Sequence, residues 1–135
     1  MNDRFYTGIL EELFESSPVR TLKPEDRIVI FSDMHLGGGG EADDFRRNAD
    51  ICSRVLRDYY LKHRYSLVLN GDIEDLQKFS RRKILNRWGE MYELFSSFDR
   101  ETALYRVVGN HDIHLLSGRE HHAAQKPLRS LRLNF

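Results

Sequence analysis

Apolar positions fall along this chain in a pattern that alternates between two periods. Residues 3–15 place Phe5, Ile9, Leu10, Leu13 and Phe14 at helical spacing, which predicts an amphipathic helix packed on the rest of the domain. Ser16, Ser17 and Pro18 end it, and Pro24, Glu25 and Asp26 form a turn. Arg27 to Ser32 (RIVIFS) is a short, nearly continuous apolar run and reads as a central strand covered on both faces. Phe45, Ala49, Cys52, Leu56 and Tyr59 then repeat at three and four, predicting a helix to about His63, with Asp43 or Asp44 as its cap. Ser66 to Asn70 (SLVLN) is a second strand. Ile84, Trp88, Met91 and Phe95 mark one helix over roughly 82–95, and Ala103 to Val108 (ALYRVV) is a third strand.

Strand, helix, strand, helix, strand implies crossover connections and a largely parallel sheet of the α/β class. Beyond Ile113 the pattern weakens, and 114–135 reads as a weakly defined tail. Leu131, Leu133 and Phe135 alternate with Arg132 and Asn134, as if a further strand begins where the chain stops. The expected organisation is a single, incomplete domain over 1–135, with 1–22 as a helical extension.

Composition narrows the class. A chain of 135 residues suits one domain. Lys plus Arg and Asp plus Glu number 21 each, so no net field favours nucleic acid or acidic membranes. Arg119, Lys126, Arg129 and Arg132 make the end locally basic, read as a solvated tail rather than a phosphate patch. The single cysteine, Cys52, excludes an internal disulfide, suits a reducing, cytoplasmic setting and reads as a buried small hydrophobe. No leader-like segment opens the chain, and no run approaches the ~20 apolar residues of a membrane span.

The chemistry sits just past the strands. Asp33-Met34-His35, Gly71-Asp72-Ile73-Glu74-Asp75 and Gly109-Asn110-His111-Asp112 each follow one strand. Asp72 lies 39 positions after Asp33, and Asn110 lies 38 after Asp72, about one strand-helix unit each. In open α/β sheets, ligands gather at the carboxyl ends of parallel strands, so the topology brings the three clusters together. Gly71 and Gly109 let the backbone turn sharply there. Asp33 and Asp72 offer hard oxygens, His35 an imidazole nitrogen and Asn110 a carbonyl oxygen. That mixed set suits Mn, Fe, Zn, Co or Ni rather than calcium. Asp72 has the two oxygens needed to bridge two ions, which would clamp a phosphoryl group and acidify a water toward pKa ~7. His111 is placed to donate a proton to a leaving oxygen, with Asp112 to orient it. Glu74 and Asp75 either support the site from behind or cap a short helix. Gly37 to Gly40 lack the lysine of a P-loop and read as a flexible loop beside the site. His114, His121 and His122 read as surface histidines.

These clusters resemble the calcineurin-like metallophosphoesterases over about residues 27–113. The resemblance implies a four-layer αββα sandwich with a dinuclear centre. It places Asp33 and His35 on the first metal, Asp72 as the bridge and Asn110 on the second. His111 would contact the phosphoryl or leaving group, with Asp112 behind it. The substrate implied is a small phosphate ester, whether a monoester, diester or pyrophosphate; sugar-nucleotide pyrophosphatases of lipid metabolism and general phosphodiesterases share the clusters. The family's further histidine and its Gly-His-x-His cluster have no counterpart here. The chain therefore reads as a truncated member that binds at most one ion well and catalyses weakly. The alternative is a non-catalytic remnant or binding scaffold. Substrate identity and oligomeric state stay open.

Overall fold

In the computed structural model, which describes residues 3–116 and 127–134, the elements run α1 (Asp3–Ser16), β1 (Val19–Thr21), β2 (Ile28–Phe31), α2 (Ala49–Arg54), β3 (Ser66–Asn70), α3 (Arg81–Arg87), α4 (Gly89–Glu101), β4 (Leu104–Val107) and β5 (Arg132–Asn134). The three expected strands become β2, β3 and β4. They form one parallel sheet in that order. Its register sets Val29 beside Leu67 and Leu67 beside Leu104, then Phe31 beside Leu69 and Leu69 beside Arg106. With the side-chain period of two, those residues share a face. The helices cover it: Val29, Phe31, Leu67, Leu69 and Leu104 pack with Leu56, Ile84, Trp88, Met91, Leu94, Phe95 and Phe98. On the opposite face Val68 and Val107 are buried, whereas Ile30 is 53% exposed: among the described residues β2 is an edge of this sheet, not the central strand covered on both faces that its apolar run implied.

Two predicted helices come out divided. The segment expected to run unbroken from Asp43 or Asp44 to His63 is a 3₁₀ turn (Asp44–Arg47), then α2, then π-helical turns over Val55–Leu61. Asp43 is the cap, accepting from the Phe45 amide at 3.1 Å. The helix expected over 82–95 is α3 and α4, broken at Trp88, with Gly89 opening α4. Glycine weakens the helix there, and the Trp88 indole is anchored outside it, donating to Gly37 O at 3.0 Å and Asp43 Oδ2 at 3.1 Å. That anchor also corrects the reading of the glycine run. Gly37 is buried, and a Cβ there would meet Phe79 at 2.7 Å and Asp43 at 2.9 Å. The start of this loop is packed, not slack.

Strand β1 was not legible in the pattern. Its three residues pair in parallel with β5, Val19 beside Arg132 and Thr21 beside Asn134. The alternation expected over 130–135 gives β5 at Arg132–Asn134. Helix α1 forms, but its apolar stripe is not packed on the domain as expected: Ile9, Leu10 and Phe14 remain exposed. Arg132 stacks on Phe14 at 4.4 Å, and the Ser17 and Ser130 hydroxyls meet at 2.5 Å. Among the described residues, no helix is long and apolar enough to cross a membrane. The expectations for Arg119, Lys126, His121 and His122 lie outside the described residues.

Candidate metal centre

Parallel pairing continues past the strand ends and draws the first two loops together. The Asp33 amide donates to Gly71 O at 3.1 Å, the His35 amide to Asp72 O at 3.0 Å, and the Leu36 amide to Ile73 O at 2.8 Å. The Asp75 amide returns to Leu36 O at 3.1 Å. The third loop is held by carboxylates instead. Asp72 Oδ1 accepts from the His111 amide at 2.8 Å. Asp112 Oδ1 accepts from the Gly109 amide at 2.6 Å and its Oδ2 from the Ile73 amide at 2.9 Å.

The backbone at these positions is unusual. Asp33, His35 and Asp72 have φ of 52°, 53° and 53°, and Arg64 is the one further non-glycine residue with positive φ among the described residues. The left-handed region costs an L-residue about 1–2 kcal/mol, and such strain concentrates where function requires it. Gly71 has φ +79° and makes the turn itself. Gly109 serves a different need: a Cβ there would lie 2.6 Å from Asp72 Cγ and 2.7 Å from Asp72 N. The absent side chain lets the third loop close on the second.

The result is a shallow recess with converging donors. One ligand atom each from Asp33, His35 and Asp72 lie within 4.8 Å of one another. His35 Nε2 is 4.0 Å from Asp33 Oδ1. The His35 and His111 rings meet edge to face at 4.6 Å. Two carboxylates and an imidazole on three strand-end positions fit a divalent transition ion, and these are the residues that would hold it. Asn110 is exposed at the rim, where its backbone carbonyl accepts from Gln77 Nε2 at 3.3 Å. It borders a cavity with Leu13, Val108, Ile113 and Arg129. A separate open cavity of about 320 Å³ adjoins Asp33, lined by Phe31, Phe45, Ile51, Cys52 and Val55 among others.

One expected role is reassigned. Asp112 does not orient His111: it is fully buried, and its oxygens are taken by the backbone amides of Gly109 and Ile73. Burial raises its carboxyl above the usual range, although the two amides pull the other way. The carboxylate on the imidazole is Asp75, whose Oδ1 lies 3.0 Å from His111 Nδ1. Burial pushes Asp75 up, but His111 and Lys78 outweigh it and hold the carboxyl below its usual range. Lys78 Nζ lies 3.1 Å from Asp75 Oδ2 and 3.4 Å from Asp44 Oδ2.

Beneath the recess lies a buried group that the sequence pattern did not reveal. Glu74 forms an ion pair with Arg106 and accepts from the Tyr92 hydroxyl at 2.5 Å. Burial works against the Arg106 charge, and Glu74 more than restores it. Burial, with Glu74 adding to it, lifts the Tyr92 phenol well above its usual value, so it remains a donor. The available signal was a lone arginine inside the apolar run ALYRVV, which has to find an anion in the interior.

Residues 26–134 match the family model for calcineurin-like phosphoesterases. No curated protein and no solved structure matches the chain.

Proposed function

The chain belongs to the calcineurin-like phosphoesterase family, whose members depend on metal ions, and from that premise we propose that it hydrolyses small phosphate esters at the ends of β2, β3 and β4. One observation carries the reading: Asp33, His35 and Asp72 converge within 4.8 Å, and all three sit in a strained backbone conformation. Asp33, His35 and Asp72 would hold a divalent ion, with Asn110 and the second oxygen of Asp72 toward another. A bound ion of this kind supplies positive charge for the phosphoryl oxygens and acidifies a water to pKa ~7.

The chain's own residues then divide the remaining work. The ionised Asp75 accepts from His111 Nδ1–H, which fixes the tautomer and the orientation of the ring. When the ring carries its second proton, Nε2 is the atom that hands it to the departing oxygen. Asp112 holds Gly109 and Ile73 at fixed distance and so keeps His111 against Asp72. Manganese is a suitable ion for an oxygen-rich seat, and phosphodiesters are suitable first substrates.

The donor set favours modest catalysis. Among the described residues, Asp72 and Asn110 are few ligands for a second ion, which also gives weight to a non-catalytic scaffold as the second reading. Hydrolysis of bis-p-nitrophenyl phosphate in added manganese separates the two. The enzyme reading requires turnover that Asp72→Asn abolishes. A rate unchanged by that substitution contradicts it, and metal binding without turnover favours the scaffold.

A further inference from the structure

A second set of donors lies beside the first and uses His35 again. Ligand atoms of His35, Asp75 and His111 also fall within 4.8 Å of one another. Asp75 Oδ1 and His111 Nδ1 are already 3.0 Å apart. That is the separation of two ligands meeting one ion at about 2.1 Å and a right angle. The Asp33–His35 pair, at 4.0 Å, has further to close.

The two sets differ in chemistry and in shelter. Asp33, His35 and Asp72 present two carboxylates and one imidazole, and the Asp33 side chain is 71% exposed. His35, Asp75 and His111 present two imidazoles and one carboxylate, with side chains 23%, 1% and 22% exposed. Imidazole-rich sets favour zinc, nickel and copper, whereas carboxylate-rich sets favour manganese and magnesium. A neutral imidazole has one free lone pair, so His35 serves one ion at a time.

We propose that the recess contains two mutually exclusive cation seats sharing His35: an oxygen-rich seat for manganese-type ions and a nitrogen-rich seat, His35–Asp75–His111, for zinc-type ions. The first seat rests on the function proposed above; the second rests on its own geometry. An ion in the second seat replaces the Asp75–His111 hydrogen bond and claims the His35 nitrogen that the first seat needs. Zinc is thereby an antagonist of manganese at this site.

Calorimetric titration of zinc and of manganese into the full chain, Asp33→Asn and His111→Gln tests the assignment. The expected result is that His111→Gln weakens zinc by at least about tenfold and leaves manganese within about twofold, while Asp33→Asn does the reverse. Zinc affinity that follows Asp33, or neither residue, overturns the two-seat proposal and leaves the first seat intact. Manganese indifferent to Asp33, with zinc still following His111, sinks the first seat and supports the second. The unmodified chain gives a check that no folding defect can confuse: with both metals present, zinc displaces manganese. Simultaneous binding of zinc that follows His111 and manganese that follows Asp33 overturns the exclusivity.

Discussion

His111 Nδ1 stands 3.0 Å from Asp75 Oδ1, a residue 36 positions earlier in the chain, while the carboxylate next to it in sequence, Asp112, is turned into the protein toward two backbone amides. Two aspartates close to one histidine therefore have different jobs, and substitution separates them. Asp75→Asn is expected to lower the hydrolysis rate by about two orders of magnitude or more, as loss of an orienting carboxylate does. Asp112→Asn instead faces an amide NH₂ against a backbone N–H. It is expected to cost about 1–3 kcal/mol of stability, read from urea unfolding. Equal effects of both substitutions on rate, with no loss of stability in either, would contradict the division.

Acid stability provides a second test of the Asp75 environment. His111 and Lys78 overcome the effect of burial and hold its carboxyl below the usual value. A depressed folded-state pKa contributes stability that is present above the unfolded value, ~3.9, and is lost as pH falls through the folded value. The unmodified chain is expected to lose more stability than Asp75→Asn between about pH 4 and pH 2. Urea midpoints across that window measure it, and parallel curves for the two proteins would refute the assignment.

The ion pair under the recess predicts an asymmetric response. Glu74 and Arg106 are both nearly inaccessible, and Tyr92 donates to the same carboxylate. Arg106→Leu strands a buried anion and is expected to cost about 3–5 kcal/mol. Replacing Glu74 and Arg106 together by leucine is expected to recover much of that loss, since two apolar side chains leave no charge uncompensated. Denaturation of the single and double variants decides it; a double variant no better than Arg106→Leu would show that the pair is not the dominant interaction.

Burial raises the Cys52 thiol to about 11. At pH 8 about one thiol in a thousand is then ionised, against roughly a quarter for an ordinary cysteine near 8.5. Iodoacetamide is expected to label Cys52 far more slowly than free cysteine at pH 8, with the rate climbing toward pH 11. Labelling at the free-cysteine rate would contradict the raised thiol value.

Much of this was legible because parallel strands obey a simple rule. RIVIFS, SLVLN and ALYRVV are apolar enough to pair as strands of one parallel sheet, with RIVIFS at its edge rather than its centre, and the residues just past them then share one end of it. Asp33, His35 and Asp72 follow from that alone. What the pattern hid depends on contacts distant in sequence. Strand β1 has three residues and exists through pairing with β5, more than a hundred positions away. The break at Trp88 reflects an indole anchored on Gly37 and Asp43. The partner of His111 was misassigned because sequence adjacency favoured Asp112. On the folded chain, Asp112 is drawn inward by the Gly109 and Ile73 amides, and the loop of Asp75 lies alongside instead.

The claim on which the rest depends is that Asp33, His35 and Asp72 share one cation. Asp72→Asn tests it with little disturbance, because an asparagine carbonyl can still accept from the His111 amide while the negative charge is lost. Manganese paramagnetic resonance reports free ion directly. The account predicts that the unmodified chain quenches the free-ion signal and that Asp72→Asn needs at least about tenfold more protein to do so; identical titration curves for the two proteins would contradict it.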